Sequence, residues 1–369
     1  MSRIVILGSG AWGTAIALSL HRRGGHRITL WAHTHELARQ ILDAGENTQF
    51  LPGFLIPSAI TVTGECEAAS DADIVVSSIP SEFLRSAFSR VGPHLHAGQI
   101  VLSATKGIED RTFLRMTEVI ADCLKGAKAP ASSPESLVPG PKSRVPGPEF
   151  LVSDPESLVP SPCLFPTGAL SGPSFAFEVA QGQPTAVTVA FSDPQIGAVI
   201  QQEFSSESLR LYTSTDVIGV ELGGALKNVI AIAAGIAVGV GLGHNSIAAL
   251  ITRGIVEISR LAVACGARSE TLAGLSGVGD LVLTCTGSLS RNRAVGEALG
   301  RGRKLPEILD SLGGKVAEGV FTTRAALGLA REHVIEMPIA EQMELILNRG
   351  TDPRQAIRAL MLRPGKDEH

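Results

Sequence analysis

The 369-residue chain lacks the marks of several large protein classes. It has no excess of positive charge: 32 Lys and Arg against 36 Asp and Glu leave a formal net charge of -4. A nucleic-acid partner, which normally needs a basic patch, is therefore not expected. Its five cysteines (Cys66, Cys123, Cys163, Cys265, Cys285) are odd in number, widely spaced and without a Cys-x-x-Cys pair. That fits reduced thiols in a cytosol better than a disulfide framework or a zinc site. Nine histidines include the i,i+2 pairs His33/His35 and His94/His96, but no cysteine or carboxylate cluster accompanies them, so no metal is expected.

Targeting and membrane signals are missing too. After Arg3 the apolar run Ile4–Leu7 stops at a glycine, well short of the roughly 7–15 residues of a signal-peptide core. The ending Lys366-Asp367-Glu368-His369 lacks the final leucine of an ER-retention signal and reads as a solvated tail. The one long apolar run, Val229–Leu242, is fourteen residues, whereas a spanning helix needs roughly 20. A buried core helix is the expectation, in a cytoplasmic protein.

What is present is a globular composition, 44% apolar and 18% charged, in a chain long enough for two domains of roughly 100–200 residues each. Its first half alternates short β-branched runs with helical stretches. Strands are predicted at Arg3–Leu7, Arg27–Trp31, Ile60–Thr63, Asp73–Ile79, Gln99–Ser103, Leu164–Leu170, Thr185–Phe191 and Leu209–Thr213. Helices are predicted between most of them, as at Trp12–Arg23, Glu109–Cys123 and Pro194–Phe204. Continuous apolar strands alternating with helices imply a doubly wound parallel sheet. From about Asp216 the strand-like runs give way to Ala/Leu/Gly-rich stretches. The fold expected is an α/β Rossmann-type N-terminal domain (1–212) followed by an all-α C-terminal domain (213–369). Between Ala127 and Cys163 the sequence repeats Pro-Glu-Ser-Leu-Val-Pro and Val-Pro-Gly-Pro. Proline at that density removes ladder and helix hydrogen bonds, so this segment reads as a surface insertion with no part in the chemistry.

Gly8-Ser9-Gly10-Ala11-Trp12-Gly13 follows the first strand and opens a helix. In that setting Gly8 permits the tight turn, Gly10 admits a pyrophosphate against backbone, and Gly13 lets helix pack on strand. A dinucleotide is the expected ligand, with a flavin or S-adenosylmethionine as alternatives. The second strand ends Trp31-Ala32-His33 without the carboxylate that usually binds the ribose 2′-hydroxyl; Glu36 comes three residues later. His33 could help to bind a 2′-phosphate, which favours NADP or use of both cofactors.

Three further stretches carry polar groups among small and apolar ones. Lys106, in Ser103–Gly107, follows a predicted strand at the sheet edge where ligands bind. Glu221–Asn228 starts a nearly uncharged helix in which Gly223 and Gly224 lie one turn before Lys227. A lysine buried there must be paired or catalytic. Gly277–Asp280 leads to Thr284, Thr286, Ser290, Arg291, Asn292 and Arg293. This last stretch reads equally well as an anion site or as a charged helix start.

Together, Gly8–Ala15, Ser103–Ile108, Leu170–Ala176, Glu221–Val229, Gly277–Thr286, Ser290–Arg293 and Val316–Gly319 resemble the bacterial glycerol-3-phosphate dehydrogenase (NAD(P)+) family, in order and over nearly the whole chain. The departure is Ala127–Cys163, where the family usually has a short turn. The resemblance implies reversible hydride transfer between NAD(P)H and dihydroxyacetone phosphate, giving sn-glycerol 3-phosphate for phospholipid synthesis. It implies Lys227 as proton donor and acceptor, with Lys106, Gly172, Ser174, Asp280, Ser290, Arg291 and Asn292 shaping the substrate site. It implies Ala11, Trp12, His33, Lys106, Ala176, Arg291, Val316 and Glu318 along the cofactor. The partner expected is a small-molecule substrate, and a homodimer is the assembly to test for. A hydroxy-acid dehydrogenase of the same two-domain plan, or a nucleotide-binding regulator without chemistry, remain the alternatives.

Overall fold

The computed structural model describes residues 1–125, 164–313, 316–365 and 367. The Pro-rich insertion Ala127–Cys163 lies outside the described residues.

The β-branched and apolar runs form ten strands: β1 Ser2–Leu7, β2 His26–Trp31, β3 Glu46–Asn47, β4 Leu51–Leu55, β5 Ile60–Thr63, β6 Ile74–Ser77, β7 Ile100–Ser103, β8 Thr167–Ser171, β9 Thr185–Ala190 and β10 Leu209–Ser214. Between them lie α1 Ala11–Arg23, α2 His35–Ala44, α3 Ser81–Val91, α4 Met116–Leu124, α5 Ala176–Gln181 and α6 Pro194–Phe204. Eight strands make one sheet in the order β10-β9-β8-β7-β6-β1-β2-β5, and β3 pairs with β4 in a separate ribbon. Parallel pairing from β5 to β8 puts the ends of β1, β7 and β8 on one edge. Apolar clusters cover both faces, one with α1, the other with α3 and α4.

Three expectations need correction. The sheet is mixed: β8 and β9 are antiparallel, with Ala169 opposite Ala190, and β10 runs parallel to β9. Residues 172–184 link β8 to β9 through a six-residue helix, about the shortest length from which a parallel crossover can be made, and here the chain returns antiparallel. The helix expected from Glu109 begins only at Met116. Ahead of it, Ile108 bridges to Arg115, and Arg111 and Phe113 take left-handed φ of 78° and 57°. This backbone turns back on itself and cannot extend a right-handed helix. The expected boundary at 212 falls inside β10, where Tyr212 and Thr213 pair with Thr188 and Val189.

After β10 every described element is helical: α7 Val217–Val240, α8 His244–Ala264, α9 Ser269–Leu272, a π-turn at Leu275–Gly279, α10 Asp280–Thr286, α11 Arg291–Gly300, α12 Leu305–Asp310, α13 Glu318–Glu332, α14 Pro338–Arg349 and α15 Pro353–Met361. Asp216 caps α7 through Gly219 N–H at 2.8 Å. At 24 residues α7 is longer than its apolar run suggested, and by length and composition it could cross a bilayer, yet 83% of its most apolar window is buried inside the protein. It is the axis of the helical core. Its Gly235 and Gly239 bring the α11 backbone so close that a Cβ at either would collide with it, which fixes α11 against α7.

Candidate active site

The glycine loop sits at the end of β1. Gly8 has φ +109°, and a Cβ there would lie 2.8 Å from the Ser78 carbonyl oxygen. A Cβ on Gly13 would strike the Gly8 carbonyl, whereas one on Gly10 would meet nothing within 4 Å. The loop is therefore tight at its ends and open at its middle, beside the first turn of α1, where Ala11 and Trp12 present free amides. These residues fit a dinucleotide pyrophosphate.

Sequence reasoning missed the residue that braces this loop. Asn47, fully buried on β3, donates from Nδ2 to the Ser9 carbonyl at 2.6 Å and to Thr14 Oγ1 at 2.9 Å. Its Oδ1 accepts the Phe50 N–H. No local pattern announces it, because its partners lie more than thirty positions upstream. His33 is exposed just past β2, and its carbonyl accepts from Arg90 Nη1 at 3.3 Å. Arg90 arrives from the last turn of α3 and lies over the buried Trp31 ring, 5.6 Å from its centre. It too escaped the sequence.

At the same sheet edge three expected residues converge. Lys106 Nζ donates to Asp280 Oδ2 at 2.5 Å and to the Gly172 carbonyl at 3.1 Å. Lys227 Nζ donates to the other oxygen, Asp280 Oδ1, at 2.7 Å and to Thr284 Oγ1 at 2.6 Å. One buried carboxylate thus bridges an ammonium from the β7 loop and one from α7. Burial pushes the Lys227 pKa down to about 8; Lys106 adds to the fall, and Asp280 and Glu318 oppose it. For Asp280, burial favours the neutral acid, but the two lysines outweigh it and hold the carboxyl below its usual range.

Gly172 has φ +142° and Ser174 Oγ donates to its carbonyl at 3.0 Å, so the loop after β8 is pinned where Lys106 touches it. Ala176 opens α5 just beyond. The bare face of α7 admits protein: a Cβ on Gly223 would lie 2.6 Å from the Ser276 carbonyl oxygen, and one on Gly224 would collide with Ser171 Oγ.

Ser290 caps α11, its Oγ accepting the Arg293 N–H at 3.2 Å. Arg291 is exposed at the first position, while Arg293 turns away to Glu297. The helix-start reading holds here, and the free first-turn amides of α11 leave the anion reading open as well. The Asn292 side chain is engaged within the protein: its Nδ2 donates to Asn228 Oδ1 at 2.9 Å and its Oδ1 accepts the Gly319 N–H at 3.0 Å, so the amide ties α7, α11 and α13 together. Glu318 is half-buried at the start of α13; burial raises its pKa against the opposing pull of Arg291, Lys106 and Lys227. Val316 is half-buried just before it. Among the described residues no three His, Cys, Asp or Glu gather to hold a metal.

Residues 3–135 and 156–197 match the family model of the NAD-dependent glycerol-3-phosphate dehydrogenase N-terminus, and 216–358 match that of its C-terminus. The chain belongs to the NAD-dependent glycerol-3-phosphate dehydrogenase family. It is 52% identical to the glycerol-3-phosphate dehydrogenase [NAD(P)+] of Acidobacterium capsulatum, with 100% of each chain covered. It is 51% identical to that of Koribacter versatilis, over 100% of this chain and 99% of the relative. The crystal structure of glycerol-3-phosphate dehydrogenase from Coxiella burnetii superposes with a TM-score of 0.84 at 34% identity, covering 98% of this chain and 99% of that one. The enzyme is accordingly an NAD(P)-dependent oxidoreductase of the CH-OH group, interconverting dihydroxyacetone phosphate and sn-glycerol 3-phosphate. The hydroxy-acid and regulator alternatives give way to this family membership.

Proposed function

We propose that Lys227 is the acid and base of this reaction and that Lys106, Asp280 and the α11 start position the substrate beside it. The observation that carries the reading is the carboxylate shared by Lys106 and Lys227. NAD(P)H, when bound, would be the source of the hydride for the ketone carbon. Lys227 meets the negative charge that grows on the ketone oxygen and delivers its proton there. In the oxidative direction neutral Lys227 takes the proton from the hydroxyl. A pKa near 8 suits both directions, since either protonation state is reachable close to neutrality. Arg291, the Ser290 hydroxyl and the first-turn amides of α11, including that of Asn292, suit the substrate phosphate. Gly172, Ser174 and Lys106 shape the site's wall at the sheet edge.

On the cofactor side, Gly8, Gly10, Ala11, Trp12 and Gly13 hold the pyrophosphate, and Ala176, Lys106, Arg291, Val316 and Glu318 line the path to the substrate. His33 and the guanidinium of Arg90 beside it would meet a 2′-phosphate, which favours NADP; the missing carboxylate after β2 supports this. The sheet half, through the end of β10 at Ser214, is assigned to the dinucleotide and the helices after it to the substrate. The free Cys66, Cys123, Cys265 and Cys285 support a cytoplasmic setting, where the product feeds phospholipid synthesis. For assembly the proposal is a homodimer, supported by an apolar hollow on α8 lined by Ile255, Val256 and Val263 with Ile335; light scattering tests it.

The deciding experiment is Lys227→Ala. Turnover should fall by about 10²–10³ or more, while NAD(P)H still binds by fluorescence titration. In the wild type, oxidation of glycerol 3-phosphate should rise with pH through about 8 as Lys227 loses its proton, and reduction should decline over the same range. Near-normal turnover in the variant would reject the mechanism.

A further inference from the structure

The loop that delivers Lys106 is fastened to α7 a second time, away from the shared carboxylate. Glu221 is buried on α7, six residues before Lys227. On a helix that is about 9 Å along the axis and a third of a turn around it. Its Oε2 accepts from Arg115 Nη1 at 2.6 Å and from Thr117 Oγ1 at 2.6 Å, and its Oε1 accepts the Thr117 N–H at 2.8 Å. A carboxylate of the helical half thus caps the first turn of α4, a helix of the sheet half.

Between Lys106 and Arg115 the chain is irregular, yet its shape is closed. Ile108 bridges to Arg115, and Glu109 N–H donates to the Leu114 carbonyl at 2.9 Å. Glu109 is also held by Arg85 at 2.8 Å. Phe113 fills the space above Gly328 of α13, where any Cβ would strike its ring, and Asp110 lies 3.6 Å from Arg324. A loop of fixed shape is placed by its anchors. One anchor is the Lys106–Asp280–Lys227 contact itself; another is Glu221, which is buried and accepts three hydrogen bonds.

We propose that Glu221 is a positioning residue: by holding Arg115 and Thr117 against α7, it sets where Lys106 meets the Asp280 carboxylate and so tunes Lys227. This rests on the reading of Lys106 and Lys227 as working groups. Lys227 is faced by Asp280 and Cys285 from α10, by Lys106 from the β7 loop and by Glu318 from α13, with Arg291 of α11 acting on Glu318. Of these, only Lys106 sits on the segment that Glu221 anchors. When that segment drifts, the repulsion by Lys106 weakens, Asp280 turns more fully to Lys227, and Lys227 holds its proton to higher pH.

The test is Glu221→Gln, which keeps the side chain's shape and removes its charge. Expected is a tenfold to hundredfold loss of kcat, the scale of a misplacement of about 1 Å, larger than any rise in KM for NAD(P)H. The rise of glycerol 3-phosphate oxidation with pH should move upward from near 8. In a Lys106→Met background the same change should leave that rise where it is, because the route through Lys106 is gone. Should Glu221→Gln not fold, Thr117→Val, which removes one of the three hydrogen bonds, carries the same shift in smaller measure. An unmoved pH limb, with activity falling only as the folded fraction falls, overturns the proposal. So does an equal shift in the Lys106→Met background. If Lys227→Ala is inactive while Glu221→Gln behaves as wild type, only this inference fails; if Lys227→Ala keeps its turnover, the reading of the lysines fails first.

Discussion

The two halves of the enzyme build their parts of the site from different materials. On the proposed reading the sheet half offers the cofactor backbone: a glycine turn, the open space at Gly10 and the first amides of α1, braced from behind by Asn47. The helical half offers buried charge, with Lys227, Asp280 and Thr284 from two packed helices and Glu221 further along one of them. Backbone donors need only a local conformation, so a short motif suffices to build them. Buried charges need partners, and every ion-pair partner here comes from a distant segment. The lesson is that the first half should fail by losing affinity for cofactor, and the second by losing turnover and stability together.

Asp280→Asn is the sharpest way to break this comparison. Two ammoniums would share a site without their carboxylate, and removing one partner of a buried pair typically costs about 3–5 kcal/mol. The melting temperature should drop, and reduction at neutral pH should lose about 10²–10³ in rate. Without Asp280 to favour the charged form, Lys227 should release its proton below its native value of about 8, moving the oxidative limb to lower pH. Cofactor affinity should persist. Loss of NAD(P)H binding in step with turnover would show that the halves are not separable in this way.

Asn47→Ala should do the converse, with a smaller effect. It leaves the Ser9 carbonyl and Thr14 hydroxyl without their buried donor, at a cost of about 1–3 kcal/mol. KM for NAD(P)H should rise by about tenfold for each 1.4 kcal/mol lost from binding, with kcat largely kept. A fall in kcat at constant KM would place Asn47 with the chemistry instead.

The smallest effect is expected from Arg90→Ala. The guanidinium is exposed and makes no ion pair among the described residues, so stability should hardly change. Affinity for NADPH should fall several-fold, short of the tenfold or more that about 1.5–3 kcal/mol for a hydrogen bond to a charged group would give, because Arg90 is exposed, while that for NADH stays level. Equal losses for the two cofactors would remove Arg90 from 2′-phosphate recognition and leave it as a cover for Trp31.

The alternation of β-branched runs and helices was legible in the chain, as was the glycine turn, because both follow from constraints within a few residues. Ile60–Thr63 and Pro194–Phe204 were read to the residue. The reversal of β9 was not legible, since strand direction depends on the path between strands and not on the strand's own residues. Nor was the loop from Ile108 to Arg115, whose apolar spacing resembles a helix while Arg85, Gly328 and α7 hold it in another shape.

The same division runs through the active site. The linear sequence determined that positions 8–13 would turn and offer amides, and that a lysine in an apolar helix at position 227 would need a partner. Only the tertiary structure decided that the partner is Asp280, that it is shared with Lys106, and that Glu221 of the same helix reaches Arg115 and Thr117. Backbone conformation is governed by neighbours in the chain. The state of a buried charge is governed by whatever packing brings within about 4–6 Å, across separations here of more than fifty residues.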